Sequence, residues 1–208
     1  LRDDSPWAVS HATRLTPSAP HAVDIEFRCR VHDADRFGLR GYAVFFWANY
    51  MRRLDDIAIY FRGIDRAGGA EHWVRAASPD GGRTYVAADA EPLEFDDDHN
   101  NRHNLVSFDY PRFTQPLLYG RCRGGMVLML MFDRMVSVTD EIRFSHFVPA
   151  WDFQYVIHRV ETGGRYEFRA RLIWKPWVSE DDCLEEFATW RQNLKAITSK
   201  KAPRSTGG

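Results

Sequence analysis

The chain has no apolar run near the roughly 18 residues that a membrane-spanning helix needs. Its run MVLMLMF (126–132) is only strand-sized, so no transmembrane segment is expected. Cysteine is scarce: Cys29, Cys122 and Cys183 lie far apart and show no CxxC spacing. An odd count cannot all pair within the chain, so a disulfide framework is not expected and a reduced compartment, the cytoplasm, is favoured. No basic-then-apolar leader precedes Leu1, which reads as a truncated or processed start and leaves export open. Neither charge sign dominates: 28 Lys and Arg stand against 29 Asp and Glu, a formal charge of −1. That balance carries no global footprint for nucleic acid or an anionic membrane, and neither is expected as a partner. Nucleophile-elbow, phosphate-loop, HExxH and zinc-knuckle patterns are all missing. Nucleotide-driven chemistry and triad-type serine hydrolysis are therefore not expected.

Aromatic residues are abundant, with seven Trp, eight Tyr and 14 Phe. They suit strands, and they suit the flat apolar faces of sugars. The stretch VDIEFRCRV alternates cleanly, with Val23, Ile25, Phe27, Cys29 and Val31 in one row and charged residues in the other. A half-buried antiparallel strand fits this period of two. YAVFFWANYM (42–51) is apolar on both sides and belongs deep in a sheet. DIAIYFRG, HNLVSFDY, MVLMLMFDR and EIRFSHF read as further strands, as do HWVRAAS and RTYVAAD on either side of the turn SPDGG. WDFQYVIH and YEFRARLIW follow, and the RVETGGR between them predicts a hairpin.

Residues 1–22, with three prolines, read as an irregular lead-in. Only the end has helical spacing: Ser179 is placed to cap, acidic residues follow, and Leu184, Phe187, Trp190 and Leu194 recur. The pattern predicts an all-β protein, a large antiparallel β-sandwich over 23–178. A C-terminal helix over 179–197 and a disordered tail over 198–208 complete it.

Several polar groups stand out as candidates. EFDDDHNNRH offers Asp97, Asp98, His99 and His103 as oxygen and nitrogen ligands for a divalent metal such as calcium. A solvated acidic loop accounts for the same residues, and no cofactor is otherwise expected. FFWANYM presents either Trp47 and Asn49, or Phe46 and Tyr50, to the outside of a strand. A Trp beside an amide suits a sugar, the ring covering C–H bonds while the amide reads hydroxyls. YPRFTQPLLYGRCRGG, rich in Pro and Gly, reads as a loop or edge segment. Its Arg112, Gln115, Tyr119 and Arg121 can read carboxylates or hydroxyls.

His146 shares a row with Ile142 and Phe144, where a satisfied core histidine is the ordinary reading. It becomes an acid–base candidate only beside Asp152 or His158. In PAWDFQYVIH, Trp151, Phe153, Tyr155 and Ile157 form a core row; Asp152, Gln154 and His158 form the other. That second row is either an ordinary wet face or the floor of a site. Asp152 and His158 are about 20 Å apart along one strand, too far to act as a direct pair.

PHAVDIEFRCRVHD, GYAVFFWANYM, RFTQPLLYGR, MVLMLMFDR, PAWDFQYVI and YEFRARLIWKPW together resemble a family of uncharacterised proteins found in planctomycetes and related bacteria. The resemblance spans about Pro20 to Trp177. It implies a large β-sandwich similar to the galactose-mutarotase-like supersandwich of many carbohydrate-active proteins. Here RFSHF runs directly into VPAWDFQ, where relatives carry a glycine-rich loop.

Two functions follow as expectations. One is a carbohydrate-active or carbohydrate-binding protein for a small-molecule or oligosaccharide ligand. If it is an enzyme, its action is epimerase-, lyase- or hydrolase-like, with His146, Asp152, His158, Tyr119 and Arg121 catalytic. Trp47, Asn49, Arg112, Gln115 and Gln154 then bind substrate. The other is a non-catalytic structural or assembly module, with or without a stabilising metal. Edge strands can pair between copies, so a homo-oligomer is compatible with either.

Overall fold

The computed structural model describes residues 6–77, 82–95, 111–147 and 149–201. Eleven strands run in chain order among them: β1 (Val9–Ser18), β2 (Ala22–Val31), β3 (Ala43–Trp47), β4 (Leu54–Ile64), β5 (His72–Ala76) and β6 (Arg83–Tyr85). Then come β7 (Arg112–Cys122), β8 (Met126–Phe132), β9 (Asp140–Phe147), β10 (Ala150–Ile157) and β11 (Arg165–Pro176), followed by helix α1 (Glu180–Lys201). Their antiparallel pairing builds a seven-stranded sheet, β1-β2-β11-β8-β7-β4-β5, and a four-stranded sheet, β3-β10-β9-β6. The protein is an all-β sandwich with one C-terminal helix, as the alternation implied.

The inner rows of the two sheets form one aromatic core. Phe27 and Phe168 of the larger sheet meet Trp47, Phe153 and Tyr155 of the smaller, while Phe113 stacks on Phe144 with centroids 4.1 Å apart. A second apolar layer lies on the opposite face of the seven-stranded sheet. There Cys183, Leu184, Phe187, Trp190 and Leu194 of α1 pack on Leu117, Tyr119, Val127, Met129, Met131 and Ile173. Strand β8 is apolar on both rows because it is covered from both sides. The Ser179 hydroxyl accepts the Asp182 N–H at 3.1 Å, capping the helix as its sequence suggested. Lys175 then fixes α1 to β11 by donating to Asp182 and Glu186 at 2.8 and 2.7 Å. Among the described residues no helix is long and apolar enough to cross a membrane. The three cysteines are free and buried, and burial pushes the Cys29 and Cys183 thiols up to about 12 and Cys122 to about 11.

Five expectations are corrected. YAVFFWANYM does not lie deep in a sheet: its strand, β3, is an edge of the four-stranded sheet, and Phe46 and Tyr50 are exposed. Residues 9–18 are not irregular: β1 pairs with β2 along its whole length, from Val9↔Val31 to Ser18↔Ala22. As an edge strand it is mostly exposed and carries no apolar row, and Pro17 is tolerated near its end. Residues 112–122 are not a loop but the interior strand β7. Pro116 falls where the β8 ladder has ended and where β4 shifts register between Phe61 and Gly63, so its missing N–H breaks no regular ladder. The Gly163–Gly164 turn does not close a hairpin: β10 lies in the small sheet and β11 in the large one, so the turn crosses between layers. Strands β5 and β6 are divided between the sheets in the same way. The helix also runs on to Lys201, past the expected end at 197. HNLVSFDY lies outside the described residues.

Candidate functional site

Strand β10 is buried on both rows, and its polar row faces away from the sandwich core. Asp152 is 3% exposed, and Gln154 and Val156 are fully buried. Pairing sets Asp152 beside Ser145, Gln154 beside Arg143, and Val156 beside Glu141 on β9. Thr84 of β6 lies next to Ser145, and Phe46 of β3 lies next to Gln154. The outer face of the four-stranded sheet is thus a covered polar floor rather than the usual wet face of an antiparallel sheet.

Burying so many polar groups is costly unless they find partners. Arg143 Nε donates to Glu141 Oε1 at 2.9 Å, its Nη2 reaches the same oxygen, and His158 Nε2 lies 3.4 Å from it. The Arg143 guanidinium also sits 5.5 Å from the centroid of the Phe95 ring. In contrast, Glu141 Oε2 and Thr84 Oγ1 are buried without a hydrogen-bond partner among the described residues. Asp140, on the core side, is fully engaged by Tyr155 and Arg134. The floor therefore holds acceptor capacity that its own side chains do not use.

Asp152 is positioned by the exit of β3. Its Oδ1 accepts the Asn49 N–H at 2.7 Å, the Asn49 amide donates to the Trp151 carbonyl at 3.0 Å, and the Trp151 N–H returns to Asn49 O. Burial pushes the Asp152 carboxyl up to about 6, against the pull of the Asn49 N–H. A group with that pKa can exchange a proton near neutrality. The same end of the floor carries three exposed aromatic side chains: Tyr50 at 73%, Phe147 at 49% and Phe46 at 42%. Tyr50 and Phe147 both pair with Ala150, one from each side. Ala150 precedes Asp152 by one step of the pleat, about 7 Å.

The other expected site residues are dispersed. Trp47 offers its faces to the core, stacked on Phe153 with centroids 4.9 Å apart and edge-on to Phe27 and Phe168. The outward side of FFWANYM is the Phe46 and Tyr50 row, and Asn49 is a clamp on β10. His146 points inward, where its Nε2 and the Trp151 indole N–H share the Ile57 carbonyl at 2.6 and 3.2 Å. That carbonyl lies where β4 leaves its regular register with β7 between Leu54 and Ile59, and burial lowers the His146 pKa.

Tyr119 and Arg121 face α1 on the other sheet. The Tyr119 hydroxyl donates to Glu180, its ring stacks on Tyr60, and Arg121 lies 4.5 Å over the Trp177 ring. Burial, reinforced by Glu180, drives the Tyr119 pKa far upward. Arg112 donates to the Ala88 carbonyl, and Gln115 is half-buried on β7. Of the expected catalytic and binding set, Asp152, Gln154 and His158 alone share the floor, with His158 at its far end. Asp97, Asp98, His99 and His103 lie outside the described residues. Among those described, no group of three or more His, Cys, Asp or Glu is arranged to hold a metal.

The sequence alone does not mark Glu141, Arg143, Thr84 or Phe147 as site residues, and it offers Tyr50 only as the alternative outward row of FFWANYM. Strand pairing unites them, and only the alternation of EIRFSHF hinted that Glu141 and Arg143 share a row. No family model matches the chain, and neither a curated protein nor a solved structure does.

Proposed function

We propose that the protein binds a carbohydrate at the aromatic end of the four-stranded sheet's outer face. The carrying observation is the pair of exposed rings, Tyr50 and Phe147, set about one pleat from the buried carboxyl of Asp152. Rings of this kind cover the apolar C–H faces of a sugar. Binding is favoured over hydrolysis by the spacing of the carboxyls. Glu141 is four residues along the face from Asp152 and one strand across, so their Cα atoms are about 14 Å apart. Glycosidases place their two carboxyls roughly 5–9.5 Å apart.

The test is a thermal-shift screen against mono- and oligosaccharides, uronic acids included, with chromatography of the incubated sugars. The expected result is a saturable rise in Tm with one sugar class and no product. Tyr50→Ala and Phe147→Ala should abolish the rise while melting near the wild type without sugar, since both rings are exposed. A rise that survives both substitutions, or none with any sugar, refutes this reading. Calcium and EDTA arms address a stabilising metal.

A second reading is an assembly module, favoured by exposed Phe46 on β3, an edge of the small sheet, and Tyr50 just past its end. Concentration-dependent dimers in light scattering, lost in Tyr50→Ala, would support it.

A further inference from the structure

Helix α1 covers only part of the outer face of the seven-stranded sheet. Alternation sends the charged residues of β2 and β11 to this outer face, with Arg28, Arg30, Arg165 and Glu167 beyond the helix and Asp24, Glu26, Arg169 and Arg171 beside it. β2 contributes Asp24, Glu26, Arg28 and Arg30; β11 contributes Arg165, Glu167, Arg169 and Arg171; β1 adds Arg14. Six arginines thus face three carboxylates on a chain whose formal charge is −1. The carboxylates are all engaged: Asp24 takes both Nε and Nη2 of Arg171 at 2.7 and 2.8 Å, Glu167 pairs with Arg28 at 3.2 Å, and Glu26 with Arg14 at 3.9 Å. Among the described residues Arg30, Arg165 and Arg169 have no carboxylate within 4 Å. Moreover, Arg30 and Arg165 are direct cross-strand partners, both exposed. Like charges set opposite one another in a ladder destabilise it, so their juxtaposition is not explained by folding.

A surface depression of about 530 Å³ lies at this pair. Ser10, Ala12, Arg28, Arg30, Arg165 and Glu167 wall it. At its floor, Cys29 and Tyr166 turn their side chains to the opposite face, into the core, and the exposed His11 ring lies 6.2 Å from Phe27. Ser10 pairs with Arg30 from the other side, and its hydroxyl lies 2.9 Å from His32 Nε2. The hollow has arginine-rich walls and is not filled by side chains of the described residues.

We propose that this depression is an oxyanion-binding site, in which Arg30 and Arg165 together hold the carboxylate, sulfate or phosphate group of an anionic ligand. Arginine's planar fork of donors suits such groups, and an anion between the two guanidiniums converts a repulsive pair into a bridged one. The site is on a different sheet from Asp152, so it stands or falls independently of the carbohydrate reading.

The test compares wild type with R30Q/R165Q by melting temperature and by amide NMR shifts. The probes are millimolar sodium sulfate, phosphate and glucuronate, each against sodium chloride at matched ionic strength. A ligand at about five times its Kd should raise the wild-type Tm saturably by roughly 2–4 °C. The double variant should give no such rise, and in dilute chloride it should melt at or above the wild type, having lost its repulsion. Amide shifts should cluster at residues 10–12, 28–30 and 165–167. A response to glucuronate alone identifies a carboxylate ligand; one to sulfate or phosphate alone identifies a tetrahedral anion. Equal shifts in both proteins, or none beyond chloride, would overturn the proposal and leave a solvated charged face.

Discussion

Asp152 is the residue whose chemistry departs furthest from its role in a plain sheet. Its carboxyl is buried, held by one backbone N–H, and pushed up to about 6. The sign of the consequence follows from proton counting. Between the unfolded value near 3.8 and about 6, the folded protein retains a proton that the unfolded chain has released. Stability from this group is therefore complete at low pH and is lost as pH rises through that window. Asp56 works in the opposite sense, because its bond to Arg75 lowers its pKa far below the usual range. A comparison of wild type with Asp152→Asn cancels Asp56 and every other shared group. Asparagine keeps an oxygen for the Asn49 N–H and has no charge to bury. In urea denaturation the variant should exceed wild type by about 1 kcal/mol at pH 4.5 and about 3 kcal/mol at pH 8. A difference independent of pH would mean that Asp152 is solvated in the folded protein.

At the scale of elements, the two sheets are brought together by a side chain of one meeting the backbone of the other. Trp151 of β10 lies over Gly120 of β7, so closely that a Cβ there would sit 2.1 Å from Trp151 Cη2. The ring cannot easily retreat, since it is buried and its N–H is tied to Ile57 O. Gly120→Ala should cost about 1–3 kcal/mol through overpacking. Combining it with Trp151→Phe should cost less than the sum of the two single changes, a coupling that a double-mutant cycle measures. Additivity would show that the sheets can shift apart at this point. Gly120 also explains part of what the sequence concealed. YPRFTQPLLYGRCRGG looks like a loop because it contains Pro116 and Gly120, yet one occupies an irregular stretch of ladder and the other a close approach. Strand β1 was hidden for the opposite reason: an edge strand with little burial needs no apolar row. The alternation of β2, the doubly apolar β8 and the capped helix were readable because each buries a pattern of its own. At the site, the period of two put Asp152, Gln154 and His158 in one row. It could not say which row of FFWANYM faces inward, nor that β9 would bring Arg143 and Glu141 alongside.

Across the whole molecule, the order of the strands ties the interior strands and helix α1 into one core. Val23 pairs with Leu172 and Ala43 with Ile157, so both sheets are closed by strands from distant parts of the chain. The same core residues bind the sheets to each other, with Phe168 of the larger sheet against Trp47, Phe153 and Tyr155 of the smaller. Helix α1 is joined from the other side through Trp190 and the Lys175 clamp. A layered molecule of this size could melt layer by layer only if one interface were dispensable, and none of these is. Unfolding should be a single transition, with far-UV dichroism and tryptophan fluorescence coincident and the calorimetric and van't Hoff enthalpies equal. Refolding should be slow for a chain of this length, because its pairings reward the chain only after long loops have closed. An earlier loss of helical signal would instead identify α1 as a separable layer. The face of the seven-stranded sheet beneath it would then be an apolar surface open to other partners.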